Sequence, residues 1–285
     1  MLIVGSLKYS PVFKTHCLAF GRACENEGFE VEYIFSKEYE WMLPKDILSR
    51  THLIGSSTTI LSMVKDSLNP RIHSKIRGIL AKRKASYVYM HNYHFLNHII
   101  AGLTRKLGGK FIYHVHEPYV ISKKSHGGFH QFWLHLFEKF QERLLNKTDV
   151  AILSSKEAER LFDLRYPNLT VRTLLVPLMY EDLAEEIDHG IQRKYFTFVG
   201  PPVPAKGPEK FLQLVEYSKK MNLDYQFLLI SRSPIRNTDF QHKNLKIHSK
   251  NRISDEEYGN LIKQSIAVMT PYRRETQSSV VLVSY

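Results

Sequence analysis

With 285 residues the chain suits one and a half to two α/β domains of about 150 residues each, and its 43% hydrophobic and 12% aromatic content excludes a disordered chain. The net charge of +12 points to a polyanionic partner, whether nucleic acid, anionic lipid or a phosphorylated substrate. Zinc-finger spacing, a basic zipper and RNP-type aromatics are missing, which argues against nucleic acid, and no apolar run approaches the roughly 20 residues of a transmembrane helix.

The first elements alternate strand and helix, the pattern of a parallel sheet with crossover helices. Residues 2–5 read as a buried strand, with no basic n-region or small-residue cleavage site, so no signal peptide is expected. A polar loop leads into a helix over 14–26, ended by Glu27-Gly28, and residues 29–35 return as a strand. Cys17 and Cys24 stand two turns apart on one face of that helix, too far for a disulfide. They lack zinc spacing and read as small buried hydrophobes of a cytoplasmic protein. Residues 61–84 carry helical spacing broken at Asn69-Pro70, with Arg71, Lys75, Arg77, Lys82, Arg83 and Lys84 toward the end. A strand over 87–90, a helix stopped by Gly108-Gly109 and a strand over 110–115 lead to His116-Glu117-Pro118.

The segment FHQFWLHLFEKFQERLLN places Phe129, Phe132, Trp133, Leu136, Phe137, Phe140 and Leu144 at helical spacing. Core packing is the ordinary reading of such a stripe. With Lys123, Lys124 and the basic 71–84 segment, the alternative is peripheral contact with an anionic membrane. Residues 149–153 form the next strand, and Ser154 or Ser155 can cap a helix from Lys156. After Val176-Pro177 the chain turns acidic and irregular as far as Gly190. The expected division is a domain over 1–180, a linker over 181–194 and a second domain over 195–285. That second domain opens with a strand over 195–199, a proline-rich loop over 200–207 and a helix over 208–220 with Pro208 at its first position. Strands over 225–230 and 245–248, a helix after Ser254 opened by Asp255-Glu256-Glu257, and a strand over 266–269 complete it. No G-x-G-x-x-G follows the first strand, which disfavours a dehydrogenase.

The order of several segments resembles the retaining GT-B glycosyltransferases of the group 1 kind, over essentially the whole chain. They are the loop-helix entry at 10–24, strand-end His116, SSKEAERL at 154–161, VGPPVPAKG at 199–207, and ISDEEYGNLIKQSIAVMTPYRRETQSS at 253–279. The resemblance implies an α/β protein of two Rossmann-like domains in GT-B architecture, the second incomplete where the chain stops at Tyr285. It implies a nucleotide-sugar donor between the domains, with the diphosphate on the C-terminal side and a glycan or lipid-linked acceptor on the N-terminal side. It further implies no metal ion or other cofactor, and a place in surface polysaccharide or glycolipid synthesis at the inner face of the membrane. No His/Asp/Glu set has metal spacing.

Lys206-Gly207 closes a loop just before a helix, where a lysine can meet a departing diphosphate beside the helix N-terminus. The other reading is an exposed loop lysine. Where the family has an arginine just after Gly200, Pro201 stands, so that contact is absent or comes from Arg232, Arg273 or Arg274. Glu275 falls at the first glutamate of the family's E-x7-E motif, near the donor sugar, but the partner position is Val283, which cannot accept from ribose hydroxyls. Thr276, Gln277, Ser278 and Ser279 resemble a variant that holds diphosphate or sugar on hydroxyls and backbone N–H groups. An ordinary capped helix is the alternative. His116 stands where the family often has a histidine near the transferred sugar, against the plain reading of a lone structural histidine. The resemblance thus implies catalytic roles for His116, Lys206 and Glu275. It implies donor binding by Gly200, Lys206, Gly207, Glu275, Thr276, Gln277, Ser278 and Ser279. The rival readings are a nucleotide-sugar epimerase of the same architecture and a non-catalytic, degenerate fragment.

Overall fold

The computed structural model describes residues 1–56, 59–118, 128–180, 190–232, 235 and 242–273. The chain folds as two units, one built from elements up to Glu181 and the other from elements after Asp182.

In the first unit seven strands form a parallel sheet: β1 (Leu2–Ser6), β2 (Val31–Phe35), β3 (Thr51–Leu53), β4 (Tyr87–His91), β5 (Lys110–His114), β6 (Val150–Leu153) and β7 (Arg172–Leu175). The order is β3-β2-β1-β4-β5-β6-β7. The connections carry α1 (Pro11–Asn26), α2 (Lys45–Leu48), α3 (Ile60–Ser67), α4 (Pro70–Arg83), α5 (Asn97–Lys106), α6 (Gly128–Leu145) and α7 (Lys156–Arg165). Because helices cover both faces, β1 and β2 are buried at every residue. Alternate residues feed separate cores. Ile3, Ile34, Val88, Met90 and Phe111 pack with Ile76, Leu80 and Ile100, whereas Val4, Tyr33, Phe35 and Tyr89 pack with Cys17 and Leu18. α1 lies close on its strand at Gly21, where a Cβ would stand 2.2 Å from the Tyr33 hydroxyl. Strand order reverses between β1 and β4, so the loops leaving these two strands flank the crevice in which doubly wound sheets hold ligands.

Local chemistry sets the ends of the elements. Pro11 at the first helical position starts α1 three residues before the predicted helix. Asn69 caps α4 ahead of Pro70, so the predicted break is real. Ser155, not Ser154, caps α7 by accepting from the Ala158 N–H. β3, α2 and β7 have no counterpart in the predicted elements; each has only three or four residues, too few for a period to show. Cys17 is buried as expected, but Cys24 is only half-buried. On α6, Phe137 and Phe140 pack against the core and Leu144 lies within it, while Phe132 is 61% exposed, so the stripe is not wholly a core face. The side chain of Phe129, together with Lys123 and Lys124, lies outside what is described.

The second unit has a four-stranded parallel sheet, β8 (Tyr195–Val199), β9 (Gln226–Ser231), β10 (Leu245–Ser249) and β11 (Ser265–Met269), in the order β10-β9-β8-β11. α8 (Pro208–Lys220) and α9 (Asp255–Lys263) cover its two faces. Phe211 and Val215 of α8 pack on Phe198, Phe227 and Leu229, and Leu261 and Ile262 of α9 on Val199, Leu228 and Ile230. Ser254 caps α9 through the Glu257 N–H. Each unit is a Rossmann-like α/β sheet, as expected.

Candidate functional site

In the second unit the strand order reverses between β8 and β11, and the loops following β8, β9 and β11 leave the same edge of the parallel sheet. The β8 loop turns at Gly200 (φ +120°) and ends in a short 3-10 turn, Pro204–Lys206, before α8. Gly207 takes φ +65°, and a Cβ there would lie 2.1 Å from the Pro271 carbonyl oxygen. Only glycine permits that approach, which draws the loop after β11 against the N-terminus of α8. The Lys206 ammonium consequently sits 3.9 Å from the centre of the Tyr272 ring.

Two of the three arginines considered as stand-ins for the residue missing at Pro201 already hold carboxylates. Arg273 pairs with Glu209 at 3.0 Å, and Arg232 pairs with Asp255 at 2.8 Å while lying over the Tyr258 ring at 4.4 Å. Hydrogen bonding to its own backbone N–H, and then Arg273, holds the Glu209 carboxyl below its usual range. Arg232 differs from Arg273 in one respect: its Nε–H is buried with no hydrogen-bond partner among the described residues. Arg274, Glu275, Thr276, Gln277, Ser278, Ser279 and Val283 lie outside the described residues.

In the first unit His116 is not a lone histidine. Parallel pairing sets β4 and β5 in a register that makes His91 and His114, their last residues, direct neighbours. The first turns of α1 add Phe13 and His16. Ring centres lie 4.4 Å apart for His91 and His114, 5.4 Å for His91 and His116, and 5.4 Å for His16 and His91. Phe13 lies 5.1 Å from both His91 and His116. Four imidazoles thus gather at the C-terminal edge of the sheet, beside its switch point.

Their hydrogen bonds form a chain. The Tyr89 hydroxyl lies 2.6 Å from His114 Nδ1 and 3.2 Å from His91 Nδ1, and His114 Nε2 lies 2.5 Å from Ser154 Oγ. One hydroxyl proton serves one nitrogen; given to His114 at the shorter distance, it leaves the hydroxyl oxygen to accept from His91 Nδ1–H. His16 Nδ1–H donates to the Met179 carbonyl at 2.5 Å. The opposite nitrogens, His91 Nε2 and His16 Nε2, are then lone-pair acceptors, and both are buried without a partner among the described residues.

Burial, and then the fields of His114, His116 and His16, holds His91 well below the usual histidine range. Burial and then His16 push His114 down to about 3. His16 is lowered by burial against the opposing pull of the Met179 carbonyl. These three imidazoles are neutral at pH 7, suited to hydrogen-bond an uncharged hydroxyl and unsuited to neutralise a phosphate. Among the described residues no group of three or more His, Cys, Asp or Glu side chains is arranged to hold a metal ion. Fourteen histidines concealed this cluster in the sequence. The legible signal was position: His91 and His114 end successive strands, and His116 follows two residues on.

A family model described as glycosyltransferase family 4 matches residues 14–174. A search of curated proteins returns no match. Solved structures similar to the chain include one described as trehalose-6-phosphate from E. coli bound with UDP-2-fluoro glucose. It has 13% identity and a TM-score of 0.63 over 98% of this chain and 80% of that one. Another is the UDP-GlcNAc 2-epimerase of Methanocaldococcus jannaschii, at 15% identity and TM-score 0.59 over 94% and 78%. The spinosyn forosaminyltransferase SpnP follows at 11% identity and TM-score 0.55 over 94% and 73%. At such identities these likenesses speak for the shared GT-B fold.

Proposed function

Because the chain belongs to glycosyltransferase family 4, its model matching residues 14–174, we propose that it transfers a hexose from a nucleotide-sugar to a hydroxyl acceptor with retention of configuration. The acceptor is a glycan or lipid-linked saccharide of a surface polysaccharide or glycolipid pathway, met at the cytoplasmic face of a membrane. No metal ion or other cofactor takes part. The observation that carries this reading is Lys206, held by Gly207 at the N-terminus of α8 on the C-terminal edge of a Rossmann-like sheet.

When the bond between the anomeric carbon and the diphosphate oxygen breaks, negative charge grows on the leaving oxygen. Lys206 and the N-terminal dipole of α8 stabilise that charge. The buried Arg232 Nε–H offers a further donor in place of the arginine missing at Pro201. Gly200 and Gly207 shape the loop around the diphosphate, and Glu275, Thr276, Gln277, Ser278 and Ser279 bind the sugar and phosphates. His116, beside His91, orients sugar hydroxyls. The departing phosphate accepts the acceptor's proton.

Calorimetric titration with a panel of nucleoside diphosphates and nucleotide-sugars tests the reading. One donor class is expected to bind, with Lys206→Ala weakening it about 10- to 100-fold, the loss of one charge-assisted hydrogen bond. Folded protein that binds none of them ends the enzymatic reading and favours a non-catalytic fragment. The likeness to a UDP-GlcNAc 2-epimerase motivates a second reading, nucleotide-sugar epimerisation. Product analysis separates the two: a glycoside formed only with acceptor supports transfer, and a released sugar epimer without acceptor supports epimerisation.

A further inference from the structure

The first unit carries a groove of about 540 Å3 between α5 and α6 at the end of α3, and none of the four clustered histidines lines it. Phe95, Ile99 and Phe140 supply apolar wall, and Arg143 and Lys147 stand at its rim. Burial first, then the fields of Lys147 and Arg143, pushes His98 down to about 4, so both cations face a neutral lining. Among the described residues neither cation makes an ion pair; Arg143 lies 5.6 Å from the Phe140 ring centre. Arg143 in the last turn of α6 also suits the helix dipole, and Lys147 follows in the turn that caps it, its N–H donating to the Leu144 carbonyl at 2.8 Å.

Along α3 the same unit exposes two leucines. Ser67 lines the groove, and the adjoining Leu68 is 75% exposed. Leu61, seven residues earlier and hence on the same face of α3, is 79% exposed. An apolar groove rimmed by cations that pair with no carboxylate among the described residues, on a unit that also exposes two leucines of α3, matches an amphiphile with an anionic head. A free phosphate would gain nothing from the apolar walls or the leucines, whereas a phospholipid uses both. Among the described residues no helix is long and apolar enough to cross a bilayer, so contact of this kind lies at the surface.

We propose that this groove docks the phosphate headgroup of an anionic membrane phospholipid, with Leu61 and Leu68 resting in the acyl boundary. The proposal rests on the membrane-face reading above and gives it a location other than the basic segment of α4. Its footprint is Leu61, Leu68, Phe95, Ile99, Arg143 and Lys147.

Co-sedimentation of the full chain with vesicles of phosphatidylglycerol and phosphatidylcholine, against phosphatidylcholine alone, tests it. Binding is expected to the first only. Arg143→Gln with Lys147→Gln should weaken it roughly 30-fold, the loss of two surface cations at an anionic leaflet, and Leu68→Asp should weaken it further. Lys219→Gln with Lys220→Gln, which removes equal charge from an exposed stretch of α8, should leave most of the binding intact. Circular dichroism confirms that each variant is folded. If the wild type binds no anionic vesicle, the membrane-face reading itself fails. If it binds but the groove variants bind equally well, or the α8 variant loses as much, the groove assignment fails and the membrane reading stands. Displacement by millimolar glycerol phosphate would make the groove a soluble phosphate site, and a change in oligomeric state of the lipid-free groove variant would make it a contact between copies. Either result overturns the lipid assignment.

Discussion

Gly207→Ala is the sharpest probe of the donor-side corner. Two costs add. An alanine at φ +65° stands in the left-handed region, at about 1–2 kcal/mol. Its Cβ would fall 2.1 Å from the Pro271 carbonyl oxygen, a backbone atom that cannot swing aside as a side chain can. Relieving that overlap shifts the loop after β11 by more than an ångström, for about 1–3 kcal/mol more. The expected destabilisation is about 2–5 kcal/mol, confined to the second unit. Because the displaced loop carries Tyr272, Lys206 also loses the ring 3.9 Å away that fixes its position. Donor affinity should therefore fall even where the protein remains folded. Two units need not unfold in one step, so hydrogen exchange of the full chain, read separately over β8–β11 and β1–β7, is the suitable assay. Gly200→Ala is the internal reference: φ is +120° there, but among the described residues no atom beyond its chain neighbours lies within 4 Å of the added carbon, so it carries strain without overlap. Gly207→Ala with exchange rates and donor affinity like the wild type would refute the packing that positions Lys206.

Three further outcomes follow from the same structure. His91, His94 and His114 have folded-state values below the unfolded one, those of His94 and His114 near 3, so the unfolded chain binds more protons as pH falls below about 6.5. Stability is complete above that pH and is lost toward pH 3, each imidazole contributing up to about 1.4 kcal/mol per pH unit; denaturant midpoints at pH 7.5, 6 and 5 should fall in that order, and equal midpoints would remove the neutral-cluster reading. Tyr89→Phe deletes the hydroxyl shared by His91 and His114 and should destabilise the first unit by about 1–3 kcal/mol, read by exchange over β4 and β5. Ser254→Ala removes the cap of α9 and should cost about 1 kcal/mol, with local exchange at the helix start rising first.

Much of the architecture was legible because parallel strands write long signals. β8 and α8 begin and end at the predicted residues, since Tyr195–Val199 is a bounded apolar run and Pro208 fixes a helix start. α3 and α4 separate at Asn69-Pro70 for the same local reason. The short edge strands β3 and β7 left no such mark. Their residues are half-buried or exposed, and it is pairing with β2 and β6 that makes them strands. The site was legible in proportion to how local it is. Lys206-Gly207 is a contiguous motif, whereas the ion pairs that occupy Arg232 and Arg273 join residues 23 and 64 positions apart.

The histidines make the same point from the opposite side, because their meaning lies in register. His16, His91, His114 and His116 span a hundred residues of sequence, yet a parallel sheet returns every strand to the same edge, and the first helix after β1 starts at that edge too. Residues that end strands on either side of a switch point are therefore gathered by topology alone, whatever their chemistry. The two units use this shared geometry differently. One gathers neutral imidazoles whose Nε2 acceptors have no partner among the described residues and suit a hydroxyl, and the other holds a lysine, a helix N-terminus and a buried guanidinium N–H that suit an anion. On the proposed function, the hexose hydroxyls of a nucleotide-sugar suit the first kind of group and the charge of its diphosphate the second. Substituting His116 should alter discrimination between sugars that share a nucleotide, while Lys206→Ala should weaken all nucleotide-sugars of that base alike. Titration of both variants with a single nucleotide carrying different hexoses reads the distinction, and equal losses across the panel for both would contradict the division of roles.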